Sequence, residues 1–258
     1  MEDELYRAAM LIRAARHCTA LTGAGLSTES GIPPFRGPGG IWTKYGEPPM
    51  NGFERFLADP AAAWRERLRP SGPMAELWKC IRNARPNGGH RALAALEASA
   101  VLKCLITQNV DGLHGAAGHR QVAEIHGNAR LARCLGCAAR LSVDDVDTSS
   151  LPPRCGDCGG ILKSDTVSFG EPIPADVLDR CEREAASSDC MLVVGTSATV
   201  YPAAYFPQQI LQRGGHLIEV NLYESDLTPL CTVSLRGAAG EVLPALVQAV
   251  GHTDQEGA

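Results

Sequence analysis

Short apolar runs alternate with amphipathic stretches along most of the chain. Near-continuous apolar runs, typical of strands buried on both faces of a parallel sheet, start at Cys18 and at Val101, Cys190 and His216. Shorter strands are expected at 121–125 and 165–169, with an edge strand at 232–235. Between the strands, apolar residues recur at helical spacing, which predicts helices at 4–16, 91–98, 174–187, 203–213 and 241–250. The alternation predicts an α/β fold with a doubly wound, Rossmann-like parallel sheet.

The stretch from Gly37 to Pro86 follows a different pattern. Glycines and prolines separate short helical pieces, expected at 53–58, 61–68 and 74–84, and no strand is indicated. We interpret this stretch as a helical insertion. Its aromatic residues would supply one small core; they are Trp42, Phe53, Phe56, Trp64 and Trp78. The last seven residues, HTDQEGA, are polar and are expected to form a tail.

Composition excludes several classes of protein. The 258 residues are 45% hydrophobic and carry a net charge of −5, so a disordered chain is excluded and nucleic acid is not an expected partner. No apolar run is long enough to cross a membrane, and the acidic start MEDELYRAAM lacks the apolar region of a signal peptide. Six of the ten cysteines are scattered among mostly apolar neighbours, as in proteins kept reduced. We therefore expect a cytoplasmic protein.

The other four cysteines form two pairs with the spacing of a zinc site. Cys134-x2-Cys137 is followed after 17 residues by Cys155-x2-Cys158, and doubled CxxC pairs at this distance match a four-thiolate zinc centre. Two disulfides would conflict with a reducing compartment, and a redox CxxC does not explain the second pair. With four protein ligands, the metal would be structural.

A glycine-rich turn follows the first strand. In Gly23-Ala24-Gly25, the two glycines lack the Cβ atoms that would keep the backbone from approaching a phosphate, and Ser27 can cap a short helix whose N-terminus suits a pyrophosphate. The third glycine of a dehydrogenase fingerprint is missing, since Glu29 stands there. The next residues, Gly31 to Gly37, place two prolines, Phe35 and Arg36 in a loop that can close over an anion.

Polar residues also follow the strand at 101–107. Gln108, Asn109 and Asp111 lie at its carboxyl end, where open parallel sheets bind ligands. Amides there can hold a carboxamide or ribose hydroxyls, although Asn and Asp are common turn formers as well. His126, followed by a glycine, is a candidate general base, with a structural histidine as the alternative.

Together these segments resemble the sirtuins, the NAD-dependent protein lysine deacylases. The resemblance covers the chain nearly end to end and in the family's order. The matching segments are GAGLSTESGIPPFRG, TQNVDGLH, His126-Gly127, the four cysteines, SFGEPIP, VGTSATVYPAA and Val220-Asn221.

The resemblance implies a single catalytic core of two domains. The large Rossmann-like domain would comprise residues 1–39, 87–127 and 166–258. The small domain would combine the helical module 40–86 with the zinc-binding module 128–165. NAD and an acyl-lysine peptide would meet in the cleft between them.

It also implies roles for individual residues. His126 would be the catalytic base, acting with Asn109 and Asp111. Val167, Phe169 and Gly170 would line the acyl-lysine tunnel and pair with the substrate peptide. The implied NAD-binding residues are Gly23, Ala24, Gly25, Ser27, Ile32, Phe35, Arg36, Trp42, Gln108, Asn109, Val110, Asp111, Gly195, Thr196, Ser197, Asn221 and Ala239.

The implied reaction moves an acyl group, most often acetyl, from lysine to ADP-ribose and releases nicotinamide. The same cleft could instead serve a mono-ADP-ribosyltransferase or an NAD glycohydrolase. A non-enzymatic NAD sensor and a hydride-transferring dehydrogenase are further alternatives. Family members that prefer succinyl or malonyl lysine carry a Tyr-x-x-Arg motif, and here those positions are Arg67 and Pro70. A dedicated desuccinylase is therefore disfavoured. Arg67 is expected on a solvated helix surface, with a contact to an acidic acyl group as the alternative.

Overall fold

The computed structural model describes residues 2–252, so nearly all of the predicted polar tail lies outside the described residues. A six-stranded sheet, parallel throughout, has the order β3-β2-β1-β7-β8-β9, and a three-stranded antiparallel sheet has the order β5-β4-β6. The strands are β1 Cys18–Thr22, β2 Leu102–Thr107, β3 Val122–Glu124, β4 Leu131–Cys134, β5 Arg140–Ser142, β6 Leu162–Ser164, β7 Cys190–Val194, β8 His216–Asn221 and β9 Val233–Arg236.

Ten α-helices occur among these residues, with 3-10 turns at Ala24–Ser30, Val143–Asp145 and Thr228–Leu230. The helices are α1 Glu2–Ala14, α2 Ile41–Tyr45, α3 Gly52–Ala58, α4 Pro60–Leu68, α5 Gly72–Asn83, α6 Gly88–Ala98, α7 Leu113–Ala116, α8 Ala175–Ser187, α9 Tyr205–Gln212 and α10 Ala239–His252.

The large sheet is covered on both faces. Its central strands β1 and β7 are buried at every position, which explains their unbroken apolar sequences. Helices α1, α6 and α10 pack on one face and α8 and α9 on the other. The Rossmann-like fold class is thereby confirmed. The chain reverses direction across the sheet between β1 and β7, so the loops after these strands diverge and leave a crevice.

The small sheet packs against the helical insertion. Phe56 of α3 and Trp64 of α4 share a core with Ala132, Val146 and Leu162, and the Trp64 indole donates to the Leu162 carbonyl at 2.7 Å. The expectation of a single aromatic core is wrong. Trp78 packs in a separate cluster around Leu77 and Ile81, and Trp42 contacts Phe35 and Phe169.

Two local predictions are also wrong. Residues 165–169 form no strand; the strand in this region is β6, which ends at Ser164. Ser27 does not cap a helix, because it lies inside the 3-10 turn that begins after Gly23. The division of the chain into two domains by residue ranges remains a prediction.

Candidate active site

A cleft of about 1120 Å³ opens where β1, β2 and β7 end. The loop after β1, the loop after β2 and the loop after β7 form its floor, and segment 166–173 forms one wall. The loops after β1 and β7 leave the sheet at the switch point described above, where open α/β sheets bind ligands, and the loop after β2 lies beside it.

The glycines of the floor allow two loops to touch through their backbones. A Cβ on Gly25 would lie 2.8 Å from the Cα of Gly195, and a Cβ on Gly195 would lie 2.3 Å from the Leu26 nitrogen. Gly195 also has a φ of +57°, whereas Gly23 has an extended φ of −133°. The Gly25 N–H donates to the Gly195 carbonyl at 2.8 Å. These glycines thus pack the loops together, a reason that the sequence pattern alone did not reveal.

A buried polar network joins the loop after β1 to the loop after β2. The Asn109 amide donates to the Gly23 carbonyl at 3.0 Å and to the Ser27 hydroxyl at 3.2 Å. Ser27 in turn donates to the Asp111 carboxylate at 2.7 Å, which also caps the Leu113 N–H. Burial raises the pKa of Asp111 above its ordinary value, although these hydrogen bonds oppose the shift.

Further side chains tie the β7 loop to its neighbours. The Gln108 amide donates to the Thr196 hydroxyl at 2.9 Å, and the Asn221 amide donates to the Thr196 carbonyl at 3.1 Å. Thr196 therefore connects the ends of β2, β7 and β8. These residues come from distant parts of the sequence, and the sheet brings them together at one edge.

His126 follows β3 and faces the same cleft. Its Nδ1 lies 3.2 Å from the Gln108 carbonyl, and since a carbonyl can only accept, Nδ1 carries the proton. In the neutral ring, Nε2 then has a free lone pair. Burial lowers the pKa of His126, while the bond to Gln108 raises it. The ring is thus an oriented base at the edge of the cleft, and burial favours its neutral form.

Aromatic residues connect the loop after the glycine turn with the opposite wall. The Trp42 ring centroid lies 4.9 Å from that of Phe35 and 5.8 Å from that of Phe169. The Arg36 guanidinium stacks 4.6 Å from the Trp42 ring centroid and binds Glu47 at 3.0 Å. Trp42 therefore links the loop that carries Phe35 to segment 166–173, the wall of the cleft.

Most of the predicted binding residues line this cleft. The exceptions are Ser27 and Asp111, which lie behind its floor in the polar network, and Ile32, which packs with Leu77 and Ile81. The assignments of all these residues, lining or not, to NAD or to the substrate remain predictions. The sequence interpretation missed several other lining residues, among them Met74, Leu77, Trp78, Tyr201, Leu222 and Tyr223. Leu222 and Tyr223 directly follow β8, so their position after a strand was an available signal.

The expectation for Arg67 is wrong, because this residue does not lie on a solvated surface. Its guanidinium donates to the Ala129 carbonyl at 2.7 Å and to the Ser164 hydroxyl at 3.2 Å. It also lies 5.3 Å from the Trp78 ring centroid. Burial lowers its pKa. Arg67 therefore joins α4 to the zinc-binding module and does not line the cleft.

The four paired cysteines form one cluster whose sulfur atoms all lie within 4.8 Å of one another. The Cys134–Cys158 sulfur distance is 3.5 Å and the Cys137–Cys155 distance is 3.7 Å. Zinc–sulfur bonds of about 2.3 Å in a tetrahedron place the sulfurs about 3.8 Å apart. Backbone N–H groups of Gly136 and Gly160 point at the sulfurs. The donor set and its spacing fit a structural zinc ion.

No helix within residues 2–252 is long and apolar enough to cross a membrane.

Comparisons with known proteins agree with this geometry. A profile of the Sir2 family matches residues 23–202. NAD-dependent protein deacylase 2 of Pyrobaculum aerophilum is 46% identical over 93% of both chains. A solved Sir2 homolog–NAD complex is 43% identical, with a TM-score of 0.80 over 96% of this chain and 94% of its own. A Sir2–p53 peptide–NAD+ complex is 33% identical, with a TM-score of 0.77 over 94% and 97%. The chain belongs to the Sir2 family, the sirtuins, as the sequence resemblance predicted.

Proposed function

We propose that this protein is an NAD-dependent protein lysine deacylase, with acetyl-lysine as its first substrate. It would transfer the acyl group from a lysine side chain to ADP-ribose and release nicotinamide. Family membership and the names of the relatives support this activity. The observation that carries it is the position of His126. This base has a fixed tautomer and lines the same cleft as Gly23 to Gly25 and segment 166–173.

The floor residues would hold NAD. Gly23, Ala24 and Gly25 would contact the pyrophosphate, and the residues after β7 and β8, with Ala239, would contact the adenosine half. Gln108, Asn109 and Val110 would surround the nicotinamide ribose. When bound, NAD supplies an electrophilic ribose carbon and a ribose hydroxyl. The cleft fits this assignment because its polar groups converge at the carboxyl edge of the sheet.

The chain's own contribution is orientation, proton transfer and exclusion of water. Nε2 of His126 would take the proton of a hydroxyl beside it, with Nδ1 held by Gln108. Asn109 would orient the reacting groups, and Asp111 would act through Ser27, which it binds. Phe35, Trp42 and Phe169 would keep water from the reacting carbon. Zinc would hold the small module and take no part in the reaction.

The acyl group is proposed to be uncharged. A carboxylated acyl chain needs an unpaired cation in the cleft, but Arg36 is paired with Glu47, and Arg67 binds Ala129 and Ser164 behind the wall. Met74, Leu77 and Trp78 of α5 instead present an apolar lining. We also propose that the protein acts in the cytoplasm, since none of the ten cysteines, all of which lie within the described residues, forms a disulfide.

The direct test combines the protein with NAD and a panel of acetyl-, longer acyl- and succinyl-lysine peptides, with products identified by mass spectrometry. We expect free lysine, nicotinamide and acylated ADP-ribose from the uncharged acyl peptides. ADP-ribosylated protein would identify the transferase, and free ADP-ribose without deacylation would identify the glycohydrolase. Nucleotide binding without any product would identify a sensor.

His126→Ala tests the proposed base. Deacylation should fall on the order of 10²–10⁴-fold, as when a general base is removed, while nicotinamide exchange into NAD should fall much less. Because burial lowers the pKa of His126, the wild-type rate should stay at its plateau until the pH drops below about 6.5, the ordinary value. The control is His216→Ala, since His216 is an exposed residue at the start of β8. Near-normal deacylation by folded His126→Ala protein would contradict the proposal.

A further inference from the structure

Two cations lie directly opposite each other in the zinc-binding sheet. Arg133 of β4 pairs in register with Lys163 of β6, and their side chains are 12% and 4% exposed. Like charges opposite each other in an antiparallel pair are unfavourable, and buried charges require partners. Neighbouring anions must therefore compensate these two residues.

The bridging anion comes from outside the sheet. Glu171, whose side chain is 1% exposed, accepts from the Arg133 guanidinium at 2.7 Å and lies 2.8 Å from the Lys163 ammonium. One carboxylate oxygen faces each cation. Asp165 adds a second contact to Arg133 at 3.1 Å. Burial lowers the pKa of Lys163, and Glu171 opposes that shift.

The same carboxylate shapes the wall of the cleft. The Glu171 oxygen that faces Lys163 also accepts from the Ser168 N–H at 2.8 Å, and the Glu171 N–H donates to the Ser168 carbonyl at 3.0 Å. Lys163 itself donates to the Thr166 carbonyl at 2.6 Å. The turn between Thr166 and Glu171 is thus fastened to the zinc-binding sheet at both ends.

The other side of this turn contacts the rest of the active site. The Val167 N–H donates to the His126 carbonyl at 2.8 Å, and the Phe169 carbonyl accepts from the Phe53 N–H at 3.0 Å. Val167, Ser168, Phe169 and Gly170 all line the cleft. A shift of Glu171 would therefore move the wall without directly touching the glycine floor on which NAD is proposed to bind.

We propose that Glu171 is a positioning residue for the protein substrate. By bridging Arg133 and Lys163, it fixes the backbone of Ser168, Phe169 and Gly170 in the conformation that binds the acyl-lysine peptide. This inference rests on the proposed deacylase function. It makes the zinc-binding module a determinant of peptide affinity, with little influence on NAD affinity.

Glu171→Gln tests the inference with almost no change of volume. The carboxylate accepts from three donors, whereas an amide offers one acceptor oxygen and turns an NH2 group towards the others. We expect the peptide KM, and the peptide Kd measured by fluorescence anisotropy without NAD, to rise on the order of 10- to 100-fold. The NAD Kd, kcat and zinc content should change by less than about threefold.

A double variant separates positioning from folding. Lys163→Met with Glu171→Gln removes one of the buried cations, so the Tm lost in the single variant should be recovered at least in part. The peptide affinity should nevertheless stay low, because the carboxylate that accepts from the Ser168 N–H is still missing. Asp176→Asn is the matched control: it breaks the more exposed ion pair with Arg140 of the same sheet and should leave peptide binding unchanged.

The outcomes are distinct. If the double variant recovers both Tm and peptide affinity, Glu171 is structural only and the inference is wrong. Equal losses of NAD and peptide affinity in Glu171→Gln would overturn it as well. If the wild-type protein binds acyl-lysine peptides but does not deacylate them, the proposed function fails while the peptide Kd values still test Glu171.

Discussion

The two sheets of this protein are stabilised in different ways. In the large sheet, β1 and β7 are buried at every residue, and extensive apolar clusters cover both faces. In the small sheet the strands have three or four residues, and none of them is buried at every position. Its buried core has seven members, two of which are the metal-site residues Cys134 and Cys155.

The difference follows from the size of each unit. A large parallel sheet buries enough apolar surface to stabilise itself, whereas a module of about 40 residues needs a metal or similar cross-link. The small sheet adds a buried ionic cluster around Arg133, Lys163 and Glu171. Such pairs are sensitive to the loss of one member. The cleft lies between a robust floor and a wall that depends on metal and charge.

Loss of zinc should produce the largest difference between the two sheets. Binding of structural zinc contributes on the order of 10 kcal/mol of apparent free energy to small modules. Cys155→Ala should therefore release the metal and speed amide exchange across residues 128–165, while amides of β1 and β7 remain protected. Elemental analysis and hydrogen exchange measure both effects. Cys231→Ala is the control, because Cys231 lies outside the cluster. Full zinc occupancy in Cys155→Ala would refute the four-cysteine assignment.

A substitution in the cleft floor should instead destabilise the large sheet and leave the zinc-binding module intact. Gly195→Ala would place a Cβ 2.3 Å from the Leu26 nitrogen at a φ of +57°, which should lower the free energy of unfolding by about 3–5 kcal/mol. NAD binding should fall with it, while zinc stays bound. Gly115→Ala is the control, since a Cβ there meets no atom within 4 Å. Denaturant unfolding monitored by circular dichroism gives the comparison, and equal stabilities of the two variants would contradict the packing argument.

The smallest effect is expected at Glu124, where the two sheets face each other across a second, smaller cavity with Arg140 and Asp165. Burial raises the pKa of Glu124 from 4.5 to about 7, against the hydrogen bond from Asn128. The folded state thus holds a proton that the unfolded state releases. The free energy of unfolding should therefore fall as the pH rises from about 4.5 to 7. Above that range the full cost of the buried, ionised carboxylate is reached.

Glu124→Gln should remove this penalty and raise the free energy of unfolding at pH 8 by about 1–2 kcal/mol, with little change at pH 4.5. Urea titrations at both pH values provide the measurement. Glu66→Gln, a change at an exposed position of α4, serves as the control. If Glu124→Gln is destabilising at pH 8, Glu124 is charged and paired in the folded protein.

Much of the architecture followed from the sequence because buried strands carry their signal locally. Cys190 to Val194 reads as a strand with no knowledge of its partners, and the cysteine spacing defines its own cluster. Gln108, Asn109 and Thr196 each follow a predicted strand. Because the carboxyl ends of parallel strands meet at one edge of the sheet, the sequence alone predicted that these residues lie at the same edge. These features depend on short segments and on one general rule for parallel sheets.

The failures share a physical cause, which is that contacts outside the local sequence pattern decided the outcome. Residues 165–169 have a strand-like composition, but Glu171 and Lys163 fasten the segment as a turn with no neighbouring strand. Ser27 is a good capping residue, yet Asp111 takes its hydroxyl. Arg67 lies on a helix with charged residues before it, and contacts with the Ala129 carbonyl and Trp78 partly bury it. None of these partners is adjacent in sequence.

The cleft floor has a kinetic consequence. The bond from Thr22 to Thr107 joins residues 85 positions apart, and those from Asn109 to Gly23 and from Gln108 to Thr196 span 86 and 88 positions. Each such contact requires closure of a long loop, which slows folding. During synthesis, β7 and its loop leave the ribosome only after more than two thirds of the chain. The cleft is therefore a late product of folding, and a nascent chain that lacks β7 has a zinc-binding module but only part of the floor on which a nucleotide is proposed to bind.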